Sequence, residues 1–214
     1  MDYTCIVWDF NGTIMDDVEI GIDSVNVLLE KRGLKTLKSR EEYQSVFGFP
    51  IIDYYRRLGF DFDKEPYEEI AVEWVAEYTA REKTAKTVSG VKDLLDFFKK
   101  NGKRQIIISA CEQQMLDRNL SLLGVRDYFD NVCGINNIYA SSKESIAIAW
   151  REKNPDEKLL FIGDTDHDCS VARAIGADCI LVSQGHQSFE TLTQYSEYAT
   201  VVRRMSDIIL LLHQ

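Results

Sequence analysis

The sequence has few of the features that suit export or a membrane. Its apolar runs, such as Ile208–Leu212, fall far below the roughly 20 residues that span a bilayer. The five cysteines are odd in number and include no CxxC pair, which argues against a disulfide framework and against a zinc site. The first residues form no basic and apolar leader, so we expect a cytoplasmic protein.

Basic residues are fewer than acidic ones. The 214 residues contain 25 Lys and Arg against 35 Asp and Glu, a formal net charge of −10. Nucleic acids and anionic membranes bind clustered Lys and Arg, so we expect neither as a partner. We expect instead a small-molecule ligand, bound by a monomer or a homodimer.

Three short apolar runs predict buried strands. They are Thr4–Trp8, Ile106–Ile108 and Leu159–Ile162, each too short for a helix and rich in branched side chains. From Ser89 onward, helical and strand patterns alternate, with further strands predicted near Val132, at Cys179–Val182 and at Thr200–Val202. This alternation predicts an α/β fold, a doubly wound, Rossmann-like parallel sheet built from residues 1–15 and 87–214.

Residues 16–86 follow a different pattern. Apolar residues recur there at steps of three and four, as in Val18, Ile22 and Val25, and no strand-like run is present. Glycines divide the stretch into about four helices. We therefore predict an all-helical domain inserted into the α/β domain.

The first strand ends in Asp9-Phe10-Asn11-Gly12-Thr13. A carboxylate at a buried strand end can be a metal ligand and a nucleophile. Gly12 allows a sharp turn, and the hydroxyl and amide of Thr13 can meet an anion, so Gly12 and Thr13 are candidate phosphate-binding residues. The same residue types are common in ordinary turns.

Two further segments are suited to binding a phosphate group. Ser109 follows the second strand and precedes Ala110, where a hydroxyl and backbone amides at a helix entrance can hold an anion, although such a Ser is often only a helix cap. Lys143 opens a predicted helix, a position unfavourable for a cation unless an anion is near. Lys153 and Lys158 are less suited because they lie late in this helix or after it.

The third apolar run leads into Gly163-Asp164-Thr165-Asp166-His167-Asp168. Three carboxylates so close together repel one another unless a cation or strong hydrogen bonds offset their charge. A few hard oxygen ligands with room for water and phosphate suit Mg²⁺. Asp164 is the expected direct ligand, and Asp168 a helper that also begins the next helix.

These four segments, in this order, resemble the motifs of the haloacid dehalogenase superfamily. The helical insert resembles the cap of its phosphoglycolate phosphatase-like and β-phosphoglucomutase-like branches, and Gly48-Phe49-Pro50 resembles the cap loop that reaches their active site. The resemblance covers essentially the whole chain. It implies that Asp9 is a nucleophile that forms a phosphoaspartate, while Ser109 and Lys143 hold the phosphoryl group.

The same resemblance implies that Asp9, the backbone carbonyl of Asn11 and Asp164 hold Mg²⁺. Asn11 stands where the family's phosphatases have a second Asp, which protonates the leaving group, a role worth about 10²–10⁴-fold in rate. The substrate could carry a good leaving group, such as an acyl or aryl phosphate. Otherwise His167 could act instead, or the protein could be a weak catalyst that binds a phosphorylated ligand.

The helical insert is expected to determine the substrate specificity. Its candidate contacts are Phe49, Tyr54 and Arg56, together with Phe47, Tyr55 and Arg57. An Arg there would favour a second anionic group on the substrate. His167 and His186 could be exposed and structural, and Cys111 is expected near the site without being reactive for that reason.

The overall prediction is a Mg²⁺-dependent phosphatase of a small phosphorylated metabolite. A dehalogenase would not need the acidic residues of the last motif. A mutase needs the second Asp that Asn11 replaces. The alternative from another class is a catalytically weak protein that binds or senses a phosphorylated ligand.

Overall fold

A computed structural model describes residues 2–136 and 143–213. Its centre is a six-stranded sheet in which every neighbouring pair is parallel, in the order β5-β4-β1-β6-β7-β8. The strands within the described residues are β1 Cys5–Trp8, β2 Met15–Asp16, β3 Lys86–Thr87, β4 Arg104–Glu112, β5 Asn131–Ile135, β6 Leu159–Gly163, β7 Asp178–Val182 and β8 Thr200–Val202. The predicted α/β fold class is confirmed.

Helices cover both faces of the large sheet. The helices are α1 Val18–Lys31, α2 Arg40–Val46, α3 Ile51–Arg57, α4 Tyr67–Arg81, α5 Val91–Lys100, α6 Gln113–Leu123, α7 Lys143–Lys153, α8 Asp166–Ala174, α9 Phe189–Leu192 and α10 Met205–Leu212. Ile6 and Trp8 of β1 pack with α5, α6 and α10, whereas Cys5 and Val7 pack with α7, α8 and α9. Side chains of a strand alternate between faces, so a strand covered on both faces is apolar throughout.

The position of β1 determines where a site can form. The chain builds β4 and β5 on one side of β1 and then returns to build β6, β7 and β8 on the other. In open α/β sheets a crevice opens outside the carboxyl ends of the strands where the order reverses. Here that place lies beyond the ends of β1, β4 and β6.

Helices α1–α4 form a bundle with its own apolar core, which includes Val25, Leu28, Leu29 and Ile70. The expectation that residues 16–86 contain no strand is wrong at both ends. Met15–Asp16 and Lys86–Thr87 pair antiparallel where the chain enters and leaves the bundle. Strands of two residues are too short to leave an alternating pattern. The domain boundaries themselves stay a prediction.

Two element boundaries differ from those expected. Ser109 does not end a strand, because β4 continues to Glu112 with a shift in its register against β5 after Ile108. The side chain of Glu112, not Ser109, caps α6. Helix α8 begins at Asp166, two residues before the expected Asp168, because Thr165 is its N-cap. Among the described helices, none is both long and apolar enough to cross a membrane.

Candidate active site

Three buried carboxylates meet beyond the ends of β1 and β6. Asp9, Asp164 and Asp168 are 7%, 0% and 1% exposed, and one oxygen of each lies within 4.8 Å of the other two. Asp9 and Asp164 directly follow apolar strands and Asp168 lies in the first turn of α8, so the hydrophobic core that orders these elements also determines where the carboxylates stand. The structure thus brings together the ends of two segments that are more than 150 residues apart.

Lys143, the first residue of α7, is buried and supplies the positive charge of this cluster. Its Nζ donates to Oδ1 of Asp9 and to Oδ1 of Asp168. Burial opposes its charge, but Asp168 and Asp9 outweigh burial and raise the pKa of Lys143. A buried Lys at a helix start therefore has two anionic partners, as its unfavourable position predicted.

Asp168 holds the local backbone in place. Its Oδ2 accepts from the Asp164 amide at 3.1 Å, the Thr165 amide at 2.9 Å and the Thr165 hydroxyl at 2.8 Å. Burial opposes ionisation, yet Lys143 and these donors keep the pKa of Asp168 below its usual value. Since both oxygens already have donors, Asp168 is suited to orienting Lys143 and the turn around Asp164.

The negative charges of Asp9 and Asp164 are less well offset by neighbouring groups than that of Asp168. Burial, reinforced by Asp168, raises the pKa of Asp9 well above its usual range despite Lys143. Burial also raises the pKa of Asp164 to about 6, against the opposing effect of His186. Buried carboxylates with raised pKa values favour a cation that would offset their charge. Hard oxygen donors at this spacing fit Mg²⁺.

Gly12 allows the first motif to approach Asp164 closely. Its φ of +72° lies in the left-handed region, and a Cβ there would stand 2.3 Å from Oδ2 of Asp164 and 2.6 Å from Cδ2 of His186. The Gly12 amide donates to Oδ1 of Asp17 at 2.8 Å, and the Thr13 hydroxyl donates to Oδ1 of Asp164 at 2.7 Å. These donors, predicted to bind phosphate, serve the protein's own carboxylates in this structure.

We expect Gly12→Ala to destabilise the fold by about 2–4 kcal/mol, since a left-handed Ala costs about 1–2 kcal/mol and the clash adds to it. Gly102→Ala is the matched control, because Gly102 has φ +66° and its added Cβ would meet no atom within 4 Å. Urea unfolding of both variants separates the two contributions. Equal losses would show that Asp164 and His186 move aside without cost.

Ser109 and Ala110 line a cavity next to this cluster, together with Cys111. Oγ of Ser109 accepts from the Cys111 amide at 3.0 Å, which leaves its proton available for another acceptor. Burial raises the pKa of the Cys111 thiol, so Cys111 lines the cavity as a neutral thiol. The predicted phosphate contacts therefore come from the middle of β4 and not from a helix entrance.

Asn11 is partly buried and belongs to a hydrogen-bond network with Asp17 and Tyr78. Its Nδ2 donates to Oδ2 of Asp17 at 2.7 Å and to the Tyr78 hydroxyl at 3.0 Å, and that hydroxyl donates to Oδ2 of Asp17 at 2.7 Å. Asp17 is ionised, since His186, Tyr78 and Asn11 outweigh burial and lower its pKa. An amide donor at position 11 is thus what Asp17 requires.

His186 completes this network. Its Nε2 lies 3.4 Å from Oδ1 of Asp17, and its Nδ1 lies 2.7 Å from the hydroxyl of Tyr43 on α2. Burial opposes protonation, but Asp17 outweighs it and raises the pKa of His186 to about 9. A buried ion pair between Asp17 and His186 therefore stands beside Asp9, and the predicted exposed position of His186 is wrong.

The cavity between the helical bundle and the sheet has a volume of about 200 Å³. Asp9, Asn11, Ser109 and Lys143 lie on its floor, and helices α1–α4 with the segment between α2 and α3 supply most of its walls. Of the predicted bundle contacts, Phe47, Phe49, Tyr54 and Tyr55 line it. Arg56 and Arg57 do not.

Arg56 points away from the cavity. Its Nη1 donates to Oδ1 of Asp53 at 2.6 Å on the exposed side of α3. Tyr54 and Tyr55, which immediately precede it, fill the buried side of the same helix. Successive helical residues turn by about 100°, so the aromatic pair and the arginines separate onto opposite sides. The prediction of Arg56 as a substrate contact is not supported.

His167 is half-buried, not exposed. Its ring stacks on Phe49 with centroids 4.6 Å apart, and both rings line the cavity. Burial lowers the pKa of His167, so its ring is neutral at pH 7.

The sequence does not identify Asp17, Tyr43 and Tyr78 as residues of the site. The one sequence signal for them is the amide at position 11, which needs an acceptor such as a carboxylate.

The match to known proteins decides the family. Residues 6–182 match the sequence model of the haloacid dehalogenase-like hydrolases. The chain belongs to this family. The matched span includes all four motifs and the helical bundle, so the resemblance of the motifs is confirmed.

The proteins that this chain is similar to carry several names. A Caldanaerobacter subterraneus protein provisionally named as the pyrophosphatase PpaX is 26% identical over 90% of this chain and 87% of its own. A phosphoglycolate phosphatase of Pseudomonas fluorescens is 23% identical, over 89% of this chain and 73% of its own. The solved structure of Mycobacterium tuberculosis Protein Tyrosine Kinase A has a TM-score of 0.82 at 20% identity, covering 98% of both chains.

Proposed function

We propose that the protein is a Mg²⁺-dependent phosphatase that hydrolyses a small phosphorylated metabolite through a phosphoaspartate at Asp9. The observation that carries this proposal is the placement of Asp9. Its carboxylate ends the central strand, lines the cavity, accepts from buried Lys143 and lies within 4.8 Å of Asp164 and Asp168. A nucleophile, a cation and two further carboxylates are therefore in one place.

Asp9, Asp164 and the backbone carbonyl of Asn11 would hold Mg²⁺. When bound, Mg²⁺ supplies positive charge that lets an anionic carboxylate approach an anionic phosphate. Asp168 would act indirectly, because it orients Lys143 and the backbone at Asp164 and Thr165. The bonds from Thr13 and the His186 amide orient the Asp164 carboxylate.

Lys143 and Ser109 would bind the phosphoryl oxygens. The ammonium group of Lys143 can follow the charge from Asp9 to the phosphate while Asp168 keeps its second bond. Phosphoryl transfer depends mainly on such positioning and charge stabilisation. An oxygen of Asp9 attacks phosphorus, and the leaving oxygen departs with the bonding electron pair. Water then attacks phosphorus and gives up a proton to solvent, and the bond from phosphorus to Asp9 breaks so that Asp9 leaves as a carboxylate.

Asn11 supports the fold of the site but cannot donate a proton to the leaving oxygen as an acid. Its amide nitrogen already donates to Asp17 and Tyr78, so both of its protons are used within the protein. We therefore expect the wild type to work best on substrates whose leaving group departs without protonation. The names of the relatives, a pyrophosphatase, a phosphatase of phosphoglycolate and a tyrosine kinase, are too diverse to assign the substrate.

We also propose a cytoplasmic location, since all five cysteines carry free thiols, as is usual in reducing compartments. Small phosphorylated metabolites are the proposed partners. A monomer or a homodimer is the proposed state.

Phosphate release tests the proposal directly. We expect turnover of p-nitrophenyl phosphate and acetyl phosphate in Mg²⁺, a fall to the uncatalysed rate in EDTA, and recovery when Mg²⁺ is returned. Turnover that persists in EDTA would contradict the role of the metal. No turnover, but binding of phenylphosphonate measured by calorimetry, would favour a phospholigand-binding protein.

A further inference from the structure

We propose that the substrate is a small aryl phosphate whose aromatic ring carries no second anionic group. The inference rests on the proposed phosphatase function and adds the substrate class. It depends on the walls of the cavity, on their charge and on the hydrogen bonds of Asn11.

The walls above the reacting groups are largely aromatic. Phe47 comes from the segment between α2 and α3, Tyr54 and Tyr55 come from α3, and Tyr67 and Trp74 come from α4. Several rings are held by other rings, as Phe47 is by Tyr54 at 5.3 Å between centroids and Trp74 by Tyr78 at 4.9 Å. Preordered aromatic surfaces bind a flat ring through stacked and edge contacts worth about 0.5–1.5 kcal/mol per pair beyond burial.

Among the described residues, the walls offer no further unpaired cation for a second anion, since the protonated His186 that lines the cavity is already paired with Asp17. Among the described residues that line the cavity, Lys143 is the sole Lys or Arg, and it faces the phosphate position. Residues 137–142, just before it, include no Lys or Arg in the sequence. Glu112, a carboxylate outside that ion pair, also lines the cavity and would repel a carboxylate or second phosphate on the substrate.

The arginines of the helical bundle near the cavity do not line it and bond to other groups of the protein. Arg40 donates to the Gln184 carbonyl at 2.7 Å, Arg57 to the Val46 carbonyl at 2.7 Å and Arg56 to Asp53. Recognition of a second carboxylate or phosphate ordinarily uses such a guanidinium. A substrate with one phosphate and an uncharged organic part therefore fits this cavity.

The size agrees with a single ring. An apolar cavity of about 150 Å³ holds benzene, and the cavity here measures about 200 Å³. Lys143, Ser109 and Asp9 fill its floor, so the phosphate would lie there and the ring would extend between α3 and α4.

The hydrogen bonds of Asn11 also favour an aryl phosphate as the substrate. When Asp9 attacks, the bond from phosphorus to the aryl oxygen breaks and its electron pair leaves as phenolate, which later takes a proton from solvent. A phenol has a pKa of about 10, whereas water, an approximate guide to an alkyl alcohol, has about 15.7. Phenolate therefore departs far more readily without an acid, and the amide at position 11 is no handicap.

A matched pair of variants on α4 tests the charge of the walls. Val75 lines the cavity, whereas Val72 is 55% exposed on the same helix. We expect wild-type kcat/KM for phenyl phosphate to exceed that for 3-carboxyphenyl phosphate and for phosphoglycolate by at least about tenfold, or about 1.4 kcal/mol. Val75→Arg should reduce the ratio between the two aryl substrates to near one, and Val72→Arg should leave it unchanged.

The outcomes separate the inference from the proposed function. Efficient turnover of phosphoglycolate or 3-carboxyphenyl phosphate by the wild type would overturn the inference and leave the phosphatase intact. Preference for phosphocholine would also overturn it, since aromatic walls can bind an ammonium group. No turnover of any substrate, with calorimetric binding of phenylphosphonate at least tenfold tighter than of phosphonoacetate, would support the ligand class and overturn the phosphatase. Absence of both turnover and binding would overturn both.

Discussion

The conservative variant Asp9→Asn is expected to lose turnover of every substrate by about 10⁴-fold or more, the range found when a nucleophile is removed. The amide keeps the shape of the side chain, but it cannot attack phosphorus. Lys143 and Ser109 would still meet the phosphate, so phenylphosphonate binding should persist in calorimetry. The measurement is the initial rate of p-nitrophenyl phosphate hydrolysis in Mg²⁺.

The same variant should keep its fold. Burial and Asp168 raise the pKa of Asp9, so the ionised carboxylate opposes folding at neutral pH. Asn removes that charge, and Lys143 retains Asp168 as a partner. We expect unfolding in urea at a concentration no lower than for the wild type. Asp156→Asn, on an exposed turn, is the control and should keep full activity. Comparable loss in the control, or turnover in Asp9→Asn above about 1% of wild type, would show that Asp9 is not the nucleophile.

The strands and the acidic residues at their ends could be predicted from the sequence for a physical reason. A strand buried on both faces needs uninterrupted apolar residues, and a polar residue at its end then marks the edge of the sheet. Asp9 and Asp164 were located in this way. Lys143 was singled out because a cation at a helix start needs an anion, and Asp9 and Asp168 are the anions found.

The cavity could not be predicted in the same way. Its lining combines residues from helices α1–α4 and α6–α8 and from the sheet, so no local pattern marks them. Arg56 was a plausible contact by sequence, but the direction of a side chain around a short helix depends on which neighbours are buried. Asp17 and Tyr78 are 61 residues apart, and only the folded chain shows that they share the amide of Asn11.

Asn11→Asp alone is expected to destabilise the protein by about 2–3 kcal/mol, the cost of setting a buried group against the wrong partner. A carboxylate there would face Oδ2 of Asp17, which now accepts from the Asn11 amide at 2.7 Å. One donor would be lost and two anions would meet in a buried place. The melting temperature should fall by about 4–12 °C for a chain of this size.

The double variant Asn11→Asp/Asp17→Asn should recover part of that stability, because it restores a donor and an acceptor between positions 11 and 17 while His186 loses its anionic partner at position 17. Oδ1 of the new amide at position 17 can still accept from the Gly12 amide, as Oδ1 of Asp17 does now. Its Nδ2 can donate to the carboxylate at position 11, and the Tyr78 hydroxyl can turn to donate to that carboxylate as well. Urea unfolding of the wild type, both single variants and the double variant measures the coupling between the two positions.

The exchange also places an acid at position 11 without a competing anion. We therefore expect the double variant to hydrolyse benzyl phosphate, which pairs an aromatic ring with a poor leaving group, about 10²–10⁴-fold faster than the wild type. Phenyl phosphate should gain far less, because phenolate departs without help. If Asn11→Asp alone proved as stable as the wild type, Asp17 would not oppose a carboxylate there. If benzyl phosphate gained nothing in the stable double variant, the leaving group would receive its proton from a group other than residue 11.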